Sequence, residues 1–434
     1  MTSLKLTLIV LLRLALAAVM LPVAAAAARL WRREASPDAR PAVLFGLTPI
    51  ISTKYWSQSL RKLGYTSASF AFGLYGINAG SDFDYSPEKL FPKASRAAGF
   101  SWLSPYLCFF WGLKNFDVFV LDFDGGFLRE TPLRFLEFPL YSVARRKIVA
   151  IPYGSDATDV RLCADAISKV AIMQDYPALG VNADGVERRV MHYCRWVSFV
   201  VCGGVMVDFL PRADLLVTSF CGIDADEWRD DGVRVRAAPE QAAVKILHAP
   251  NHRNIKGTQF LIDACEELRA EGVPVELVIR ERVSNQEIKE LMREVDIVAS
   301  AFITGFYELF AVEGMSMGKP VLNYWRPDLK SIYSTYSFAA ECPVVDTPVG
   351  KMKENIRRLA EDPSLRRRLG EAGRRYVEKY HSHEAIGRTL EGIVRRVWYG
   401  VDEAGGPGEL PAQSAPAPAP AATPEAEDSV AARL

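Results

Sequence analysis

The sequence predicts an α/β fold with two doubly wound domains, because short apolar strands alternate with helices in two separate stretches of the chain. The first stretch covers residues 41–222 and the second covers residues 243–381. Between them, residues 222–242 are rich in Asp, Arg, Gly and Ala, a composition typical of a linker. A chain of 434 residues is also too long for one ordinary core. Because parallel sheets bind ligands at the carboxyl ends of their strands, we expect the functional site in the cleft between the two domains.

An apolar segment opens the chain. Residues 4–28 are broken only by two basic residues and a proline, and as a helix they would be about 37 Å long, enough to cross a bilayer. Three arginines follow the segment closely whereas one lysine precedes it, so the positive-inside bias places the later residues in the cytoplasm. We therefore predict that residues 1–33 anchor the chain in the inner (cytoplasmic) membrane, with the catalytic domains on the cytoplasmic face. A cleaved signal peptide and an interfacial helix are the alternatives.

In the first domain, strands and helices alternate from Pro41 onward. Gly64 ends the first helix, and residues 74–112 are aromatic-rich without a clear period, so we predict irregular structure there. The predicted strands are residues 42–47, 66–70, 116–121, 147–151, 197–201, 207–210 and 215–217, and the first helix is residues 53–63.

The second domain repeats this alternation and ends in helices. Asp362-Pro363 divides a long basic helical stretch, and residues 382–400 form a separate C-terminal helix. Residues 403–434 are rich in Pro, Ala and Gly without apolar periodicity, which predicts a disordered tail. The predicted strands are residues 244–248, 275–279, 296–299 and 320–323, and the helices are residues 258–270, 286–293, 309–317, 349–380 and 384–398.

Charge and cysteine content exclude some classes of protein. The chain has 52 basic and 52 acidic residues, so no net charge attracts it to nucleic acid. Its seven cysteines are an odd number without CxxC spacing, which indicates buried free thiols in a reducing compartment. The histidines show no zinc-binding spacing, and we expect no metal site.

The most informative stretch is residues 296–324, DIVASAFITGFYELFAVEGMSMGKPVLNY. It resembles the donor-sugar segment of GT-B glycosyltransferases, in the retaining group that includes glycogen and sucrose synthases. In that group two Glu residues eight positions apart contact the hexose and the nucleotide ribose. The resemblance assigns Glu313 to the ribose and places Gly305 at the position of the first Glu, and Glu308, three residues later, is a candidate catalytic carboxylate. A solvated helix face is the alternative for Glu313.

A second resemblance covers residues 248–258, HAPNHRNIKGT, where a strand, a polar turn and the start of a helix follow one another. In the family this loop offers two cations to the donor diphosphate, and Lys256 and Arg253 match them. Two cations near a helix N-terminus can neutralise a departing diphosphate without a metal. Arg280, at the end of the next strand, is a third candidate for donor binding. The alternative for Lys256 is an ordinary surface lysine.

In the first domain, residues 151–157 read IPYGSDA and resemble the h-G-S-D loop of the same group, in which many relatives have a His where Tyr153 stands. Asp156 could orient an acceptor hydroxyl or accept its proton, or it could form an Asx turn or a helix N-cap. Asp122-Phe123-Asp124 is also the metal-binding DxD pattern of the other large glycosyltransferase fold, GT-A. That fold would not explain Lys256 or Glu313, so we set the pattern aside.

The resemblance implies a glycosyltransferase of the hexosyltransferase type, retaining and metal-independent, with two Rossmann-like domains facing across a cleft. Its partners would be a nucleotide sugar, as substrate and not as cofactor, and a glycan or lipid-linked acceptor, in cell-surface polysaccharide or glycolipid synthesis. Two alternatives remain open. A nucleotide-sugar 2-epimerase would share the fold without needing an acceptor, and a non-catalytic GT-B-like partner in a polysaccharide assembly complex would bind without turnover.

Overall fold

The computed structural model describes residues 2–36, 39–97, 100–230 and 243–401, with side chains from residue 6 onward. It contains two separate parallel β-sheets, one of six strands and one of five, with helices packed on them. The predicted α/β architecture of two Rossmann-like halves is therefore confirmed. Most of the predicted linker and the predicted tail lie outside the described residues.

The N-terminal sheet has its six strands in the order β2-β1-β3-β4-β5-β6, all parallel. Its central strands are buried on both faces, which explains why the sequence shows continuous apolar runs here and no alternation. The strands are β1 (Val43–Leu47), β2 (Ser67–Ala71), β3 (Val118–Leu121), β4 (Lys147–Ala150), β5 (Phe199–Gly203) and β6 (Leu215–Val217).

Eight α-helices accompany this sheet in the described residues. A 3₁₀ helix, Gly204–Asp208, stands where the sequence predicted the strand 207–210, because Gly204 turns the chain with a φ of +55° directly after β5. The helices are α1 (Thr2–Leu30), α2 (Ile51–Lys62), α3 (Pro87–Leu90), α4 (Phe100–Asn115), α5 (Glu137–Val143), α6 (Ala166–Asp175), α7 (Pro177–Val181) and α8 (Ala183–Trp196).

The C-terminal sheet has the order β11-β10-β9-β7-β8, again all parallel. Its strands are β7 (Val244–His248), β8 (Val275–Ile279), β9 (Ile297–Ala299), β10 (Val321–Asn323) and β11 (Val345–Asp346). Its helices are α9 (Arg253–Lys256), α10 (Thr258–Ala270), α11 (Asn285–Glu294), α12 (Leu309–Ser316), α13 (Pro327–Tyr336), α14 (Met352–Glu361), α15 (Pro363–Tyr380) and α16 (His383–Tyr399).

Both sheets wind in the same way. In each, the second strand lies on one side of the first and the third strand lies on the other, so the strand order reverses between β1 and β3 and between β7 and β9. Ligands of open parallel sheets bind at such reversals, outside the carboxyl ends of the strands. The strands on either side of each reversal end next to Thr48 and Asp122 in the N-terminal half, and at His248 and next to Ser300 in the C-terminal half.

The last helix returns to the first domain. It begins after Ser382, whose hydroxyl accepts a hydrogen bond from the Ala385 N–H, and packs along α2. The contact is close, because a Cβ at Gly387 would lie 2.9 Å from the carbonyl oxygen of Ser59. Helix α16 ends at Gly400, which has the left-handed φ of +72° that commonly closes a helix. The predicted C-terminal helix therefore connects the two halves.

Helix α1 is the one described helix that is long and apolar enough to cross a membrane. Its second half packs on α4 and α5 through Ala17, Ala24 and Ala28, which are buried, whereas the apolar side chains of residues 6–14 are exposed. The second half of the helix is therefore docked on the domain, whereas the apolar side chains of its first half are exposed.

Helices α4 and α13 are two of the helices that were not predicted from the sequence. Helix α4 occupies part of the stretch predicted to be irregular, and it shows no amphipathic period because α1 covers one side of it and the core covers the other. Helix α13, which begins with Pro327 in its first turn, was not predicted at all.

The close contact between α15 and the end of α12 gives a test of this packing. A Cβ at Gly370 would lie 1.9 Å from the carbonyl oxygen of Gly318, so Gly370→Ala must displace backbone, and we expect it to cost about 2 kcal/mol or more. The control is Gly392→Ala in α16, where a Cβ meets open space and should stabilise the helix by about 0.5–1 kcal/mol. Denaturant unfolding of the full chain measures both, and equal stability of the two variants would contradict this packing.

Candidate functional site

The loop after β7 is held at its base by a buried histidine. The His248 Nδ1–H donates to the carbonyl oxygen of Ala299 at 2.8 Å, and Nε2 accepts from the Thr258 hydroxyl at 2.9 Å. Burial lowers the pKa of His248 to about 4, so the ring is neutral. His248, at the end of β7, is thereby bonded to the end of β9 and to the first turn of α10. Both ends of the loop between β7 and α10 are therefore held in place.

Lys256 lies at the end of this loop. The turn that follows needs glycine, because Gly257 has a φ of +70° and a Cβ there would lie 3.1 Å from Cβ of Phe302. The turn buries the Lys256 side chain, which is 9% exposed and forms an ion pair with the carboxylate of Glu308. The loops after β7 and β9, which the sequence assigned separately to donor binding, therefore meet in one ion pair at the strand-order reversal.

Glu308 is the residue that precedes α12. Its side chain forms no capping hydrogen bond with the first turn of the helix, because it is directed to Lys256. The first-turn N–H groups of α12 are therefore not capped by Glu308, and they carry the partial positive charge of a helix N-terminus. The Glu308 side chain is 34% exposed, so solvent or a ligand can reach the ion pair from this side.

Gly305 occupies the position at which the resemblance places the first Glu. It has a φ of +77°, its carbonyl oxygen accepts from the Arg326 N–H at 2.9 Å, and a Cβ there would lie 2.4 Å from Cβ of Arg326. A glutamate could not stand here without moving the start of α13. Glu308 is therefore the carboxylate available in this loop.

Glu313 is 5% exposed and has no hydrogen-bond or ion-pair partner among the residues that the structure describes. Burial raises its pKa to about 8. The carboxylate lies close to two groups at the domain junction: its charge adds to the burial that raises the pKa of Tyr55, and it lies near the Cys221 thiol, whose pKa burial raises to about 12. A carboxylate that is almost fully buried and has no described protein partner is costly to fold, so it is a strong candidate for binding a polar ligand.

Two predicted donor-binding cations lie apart from this group. Arg253 is 54% exposed on the Arg253–Lys256 turn, and its Nε donates to Glu281 at 2.8 Å. The exposed Arg280 side chain donates to the neighbouring Ile279 carbonyl oxygen at 2.9 Å. The structure therefore brings together Lys256 and Glu308 but leaves both arginines at the rim, and their role in donor binding stays a prediction.

The first domain closes over this group through the end of α6. The Asp175 carboxylate accepts from the Asn254 side chain at 2.7 Å and from the Ile255 N–H at 2.8 Å. The hydroxyl of Tyr176 forms a hydrogen bond with the ring of His252. The pKa of Tyr176 is raised to about 12, first by burial and then by the charge of Glu308. Tyr176 therefore lies against the ion pair from across the cleft.

An ion pair between the domains was not predicted from the sequence. The Arg326 guanidinium forms two hydrogen bonds of 2.7 Å with the Asp208 carboxylate, and both side chains are less than 10% exposed. Arg326 also bonds Asp328 and supports Gly305 through its backbone. No local pattern could have indicated this pair, because its members are 118 residues apart.

A buried hydrogen-bond chain holds the loop between β9 and α12 to the segment after β6. The Tyr307 hydroxyl donates to Nε2 of His381 at 2.9 Å, and the His381 Nδ1–H donates to the Cys221 carbonyl oxygen at 2.8 Å. Tyr376 adds a hydroxyl bond of 2.8 Å to Tyr307. Burial lowers the pKa of His381 to about 4. His381 directly follows the end of α15, and its two ring hydrogen bonds fix this loop.

At the N-terminal reversal, Asp156 organises the loop after β4. One of its carboxylate oxygens accepts from the N–H groups of Tyr153 at 3.0 Å and Gly154 at 2.8 Å, and the other accepts from the Phe123 N–H at 2.9 Å. The side chain is buried, and burial followed by the charge of Asp122 raises its pKa to about 8. This is the turn geometry that the sequence left as an alternative, and a part for Asp156 in acceptor chemistry stays a prediction.

At the carboxyl edge of the N-terminal sheet, Asp124 is a carboxylate that a ligand in the cleft can contact. It is 30% exposed, it accepts from the Tyr153 hydroxyl, and the Arg189 guanidinium lies 3.6 Å away. Burial and then the charge of Asp124 raise the pKa of Tyr75, so Tyr75 lies beside it. Asp122, in contrast, is buried and accepts from the Asp124 N–H at 2.9 Å. Asp124 was not among the site residues predicted from the sequence, although it lies in the loop that follows β3 at the carboxyl edge of the sheet.

The raised pKa of Glu313 gives a prediction about stability. Between pH 4.5, its ordinary pKa, and about pH 8, the unfolded chain binds fewer protons at this residue than the folded chain, so its contribution to stability falls as pH rises. We expect Glu313→Gln to remove this loss and to raise the melting temperature of the ligand-free protein at pH 8, but not at pH 4.5. Each kcal/mol relieved corresponds to about 2–4 °C.

Thermal unfolding at both pH values measures the effect, with Glu354→Gln, an exposed residue of α14, as the matched control. A Glu313→Gln variant that melts below wild type at pH 8 would show that the carboxylate has a stabilising partner after all.

No protein-family model and no curated protein sequence matches this chain. Several solved structures are similar to it. Sucrose-phosphate synthase from Thermosynechococcus elongatus is similar with a TM-score of 0.52 at 14% identity, over 84% of this chain and 100% of that one. A glycosyltransferase from Rickettsia africae gives a TM-score of 0.47 at 12% identity, over 83% and 99% of the two chains, and S. aureus TarM gives 0.43 at 11%, over 67% and 59%. The two parallel sheets and the first of these similarities together show that the chain has the GT-B fold.

Proposed function

We propose that this protein is a glycosyltransferase that binds a nucleotide-sugar donor in its C-terminal half and an acceptor at the carboxyl edge of its N-terminal sheet. The observation that carries the proposal is the pairing of charges at one strand-order reversal. Lys256 is a buried cation that a ligand can reach through Glu308, and Glu313 is a buried carboxylate without a described partner. A cation such as Lys256 can bind a diphosphate, and a carboxylate such as Glu313 can accept hydrogen bonds from the hydroxyls of a ribose.

The donor diphosphate would bind at Lys256. The lysine is held by a single carboxylate, and a diphosphate offers more negative charge and more acceptor oxygens to the same amine. The first turn of α12 directs its partial positive charge to the same place. Lys256 and this helix end would compensate the charge of the leaving group, which supports the metal-independent chemistry implied by the resemblance.

The ribose would bind at Glu313. A carboxylate can accept hydrogen bonds from the two neighbouring ribose hydroxyls, and such bonds would offset the burial that raises its pKa. Gly305 lacks the side chain that contacts the hexose in related enzymes, so we assign hexose contact to Glu308. Once the diphosphate takes its partner Lys256, Glu308 is free to accept from a sugar hydroxyl.

The acceptor would bind beside Asp124 and Tyr153. Their hydroxyl–carboxylate bond lies at the mouth of the cleft, and Asp156 holds the loop that carries Tyr153. We assign Asp156 a positioning role and Asp124 the direct contact with the acceptor hydroxyl. If the anomeric configuration is retained, as the resemblance implies, the leaving diphosphate itself takes the acceptor proton.

The cellular role extends the proposal. The N-terminal apolar helix would hold the enzyme at the inner (cytoplasmic) membrane, with the cleft on the cytoplasmic face where nucleotide sugars are made. A glycan or lipid-linked acceptor for cell-surface polysaccharide or glycolipid synthesis agrees with that position. An epimerase would instead isomerise the donor with no acceptor present.

Nucleotide binding tests the donor site. The full chain is screened by thermal shift against UDP, GDP, ADP and dTDP, and one of them should stabilise wild type in proportion to its concentration. Lys256→Gln should lose at least about 2 kcal/mol of binding, roughly 30-fold in Kd, because it removes a charged hydrogen bond. Glu308→Gln should bind the nucleotide as tightly or more tightly, because the competitor of the diphosphate is lost, but should transfer sugar slowly.

The matched control is Lys351→Gln, an exposed lysine of the same domain, which should bind like wild type. If Lys256→Gln and Lys351→Gln bind every stabilising nucleotide equally well, the donor site lies elsewhere. If no nucleotide stabilises wild type at millimolar concentration, the non-catalytic partner becomes the better interpretation.

A further inference from the structure

The docked half of α1 fixes the direction in which its exposed half points. At the C-terminal end of α1, the Arg33 guanidinium lies 3.1 Å from the Asp117 carboxylate, and the Trp31 carbonyl oxygen accepts from Arg146 at 2.7 Å. Asp117 and Arg146 directly precede β3 and β4. This end of α1 therefore lies at the amino edge of the N-terminal sheet, away from the cleft.

The other end of the docked half lies at the opposite edge. The Arg13 guanidinium lies 5.9 Å from the centre of the Trp102 ring, in the first turn of α4. Helix α4 connects the carboxyl end of β2 to the amino end of β3, so its first turn belongs to the carboxyl edge. Residues 6–12 of α1 therefore extend past the edge that carries Asp124.

The same edge carries a second exposed apolar group. The loop after β2 presents Leu74 and Ile77 to solvent, 52% and 49% exposed, on either side of Tyr75. Tyr75 lies beside Asp124, so this loop borders the proposed acceptor site. The exposed leucines of α1, from Leu6 to Leu14, and this loop thus present apolar surface at one edge of one sheet.

Unpaired cations accompany the apolar groups. Lys93 and Arg96, in the exposed segment just before α4, have no ion-pair partner within the described ranges. Of the nearby carboxylates, Asp82 and Asp84 are paired with a lysine and an arginine on α2, whereas the exposed Glu88 accepts from the Ser86 hydroxyl and is outnumbered by the two cations. Apolar side chains next to unpaired cations match an anionic lipid surface, in which acyl chains lie beneath phosphate headgroups.

We propose that the carboxyl edge of the N-terminal sheet is seated on an anionic phospholipid bilayer, with the exposed half of α1 inserted and Leu74 and Ile77 at the lipid surface. Because α1 is docked on α4 and α5, the enzyme is held in one orientation and does not swing on a tether. Resting on the proposed function, this orientation opens the site at Asp124 onto the lipid, and the acceptor is a lipid-linked molecule that enters from the membrane plane.

The orientation is tested with the full chain reconstituted in vesicles of phosphatidylglycerol and phosphatidylcholine that contain nitroxide-labelled lipid. The fluorophore NBD is attached through Leu74→Cys or Ile77→Cys. The control is Val143→Cys, equally apolar and 41% exposed, at the end of α5 on the amino edge. The parent protein, labelled in the same way, gives the background of the native cysteines. We expect quenching at positions 74 and 77 to exceed that at position 143 by about twofold or more, as for groups at a lipid interface.

Equal quenching at the three positions, or stronger quenching at position 143, would overturn the proposal. Hydrogen exchange of the unsubstituted chain gives the same comparison without cysteines: lipid nanodiscs should protect residues 72–79 more than residues 136–146, relative to a detergent micelle. The nucleotide-induced thermal shift of each sample separates the two proposals. Preferential quenching without any nucleotide binding would support the seating on lipid and would refute the proposed function alone.

Discussion

The ion pair between Lys256 and Glu308 is the interaction on which the cleft depends. It joins the loops after β7 and β9 at the strand-order reversal, and it is the reason that a lysine can be buried there. Because Glu308 remains partly exposed while Lys256 does not, a ligand with more negative charge can displace the carboxylate without exposing the lysine to water. On the proposed function, the resting pair would keep a phosphate site preorganised and neutral until the donor binds.

Two sets of buried hydrogen bonds hold the surroundings of this ion pair in place, whereas the nearby Glu313 carboxylate has no described partner. The bidentate bonds of Arg326 to Asp208 fix one domain against the other, and the hydrogen bonds from Tyr307 through His381 fix the loop between β9 and α12. Fully bonded buried networks of this kind specify one geometry. Glu313 stands among them without a described partner, a local loss of stability of the kind expected at a binding site.

Much of this architecture could be predicted from the sequence, because buried parallel strands and capped helices leave local patterns, and strand ends locate the loops that carry chemistry. The pairing of Lys256 with Glu308 could not be, since the partners are 52 residues apart and meet only through sheet order. Likewise, the sequence could not show that Arg253 lies at the rim of the cleft, because an ion pair with Glu281 holds its side chain there. The hydrogen bond between Tyr153 and Asp124 could not be predicted either, because its partners are 29 residues apart and lie on different loops.

The most direct test is an experimental structure of the full chain with the nucleoside diphosphate that stabilises it. We expect the Lys256 amine to leave Glu308 for a phosphate oxygen, the ribose hydroxyls to lie within hydrogen-bond distance of the Glu313 carboxylate, and the Arg326–Asp208 contact to be unchanged. A nucleotide bound elsewhere, or one bound in the cleft while Lys256 stays paired with Glu308 and Glu313 makes no contact, would contradict it.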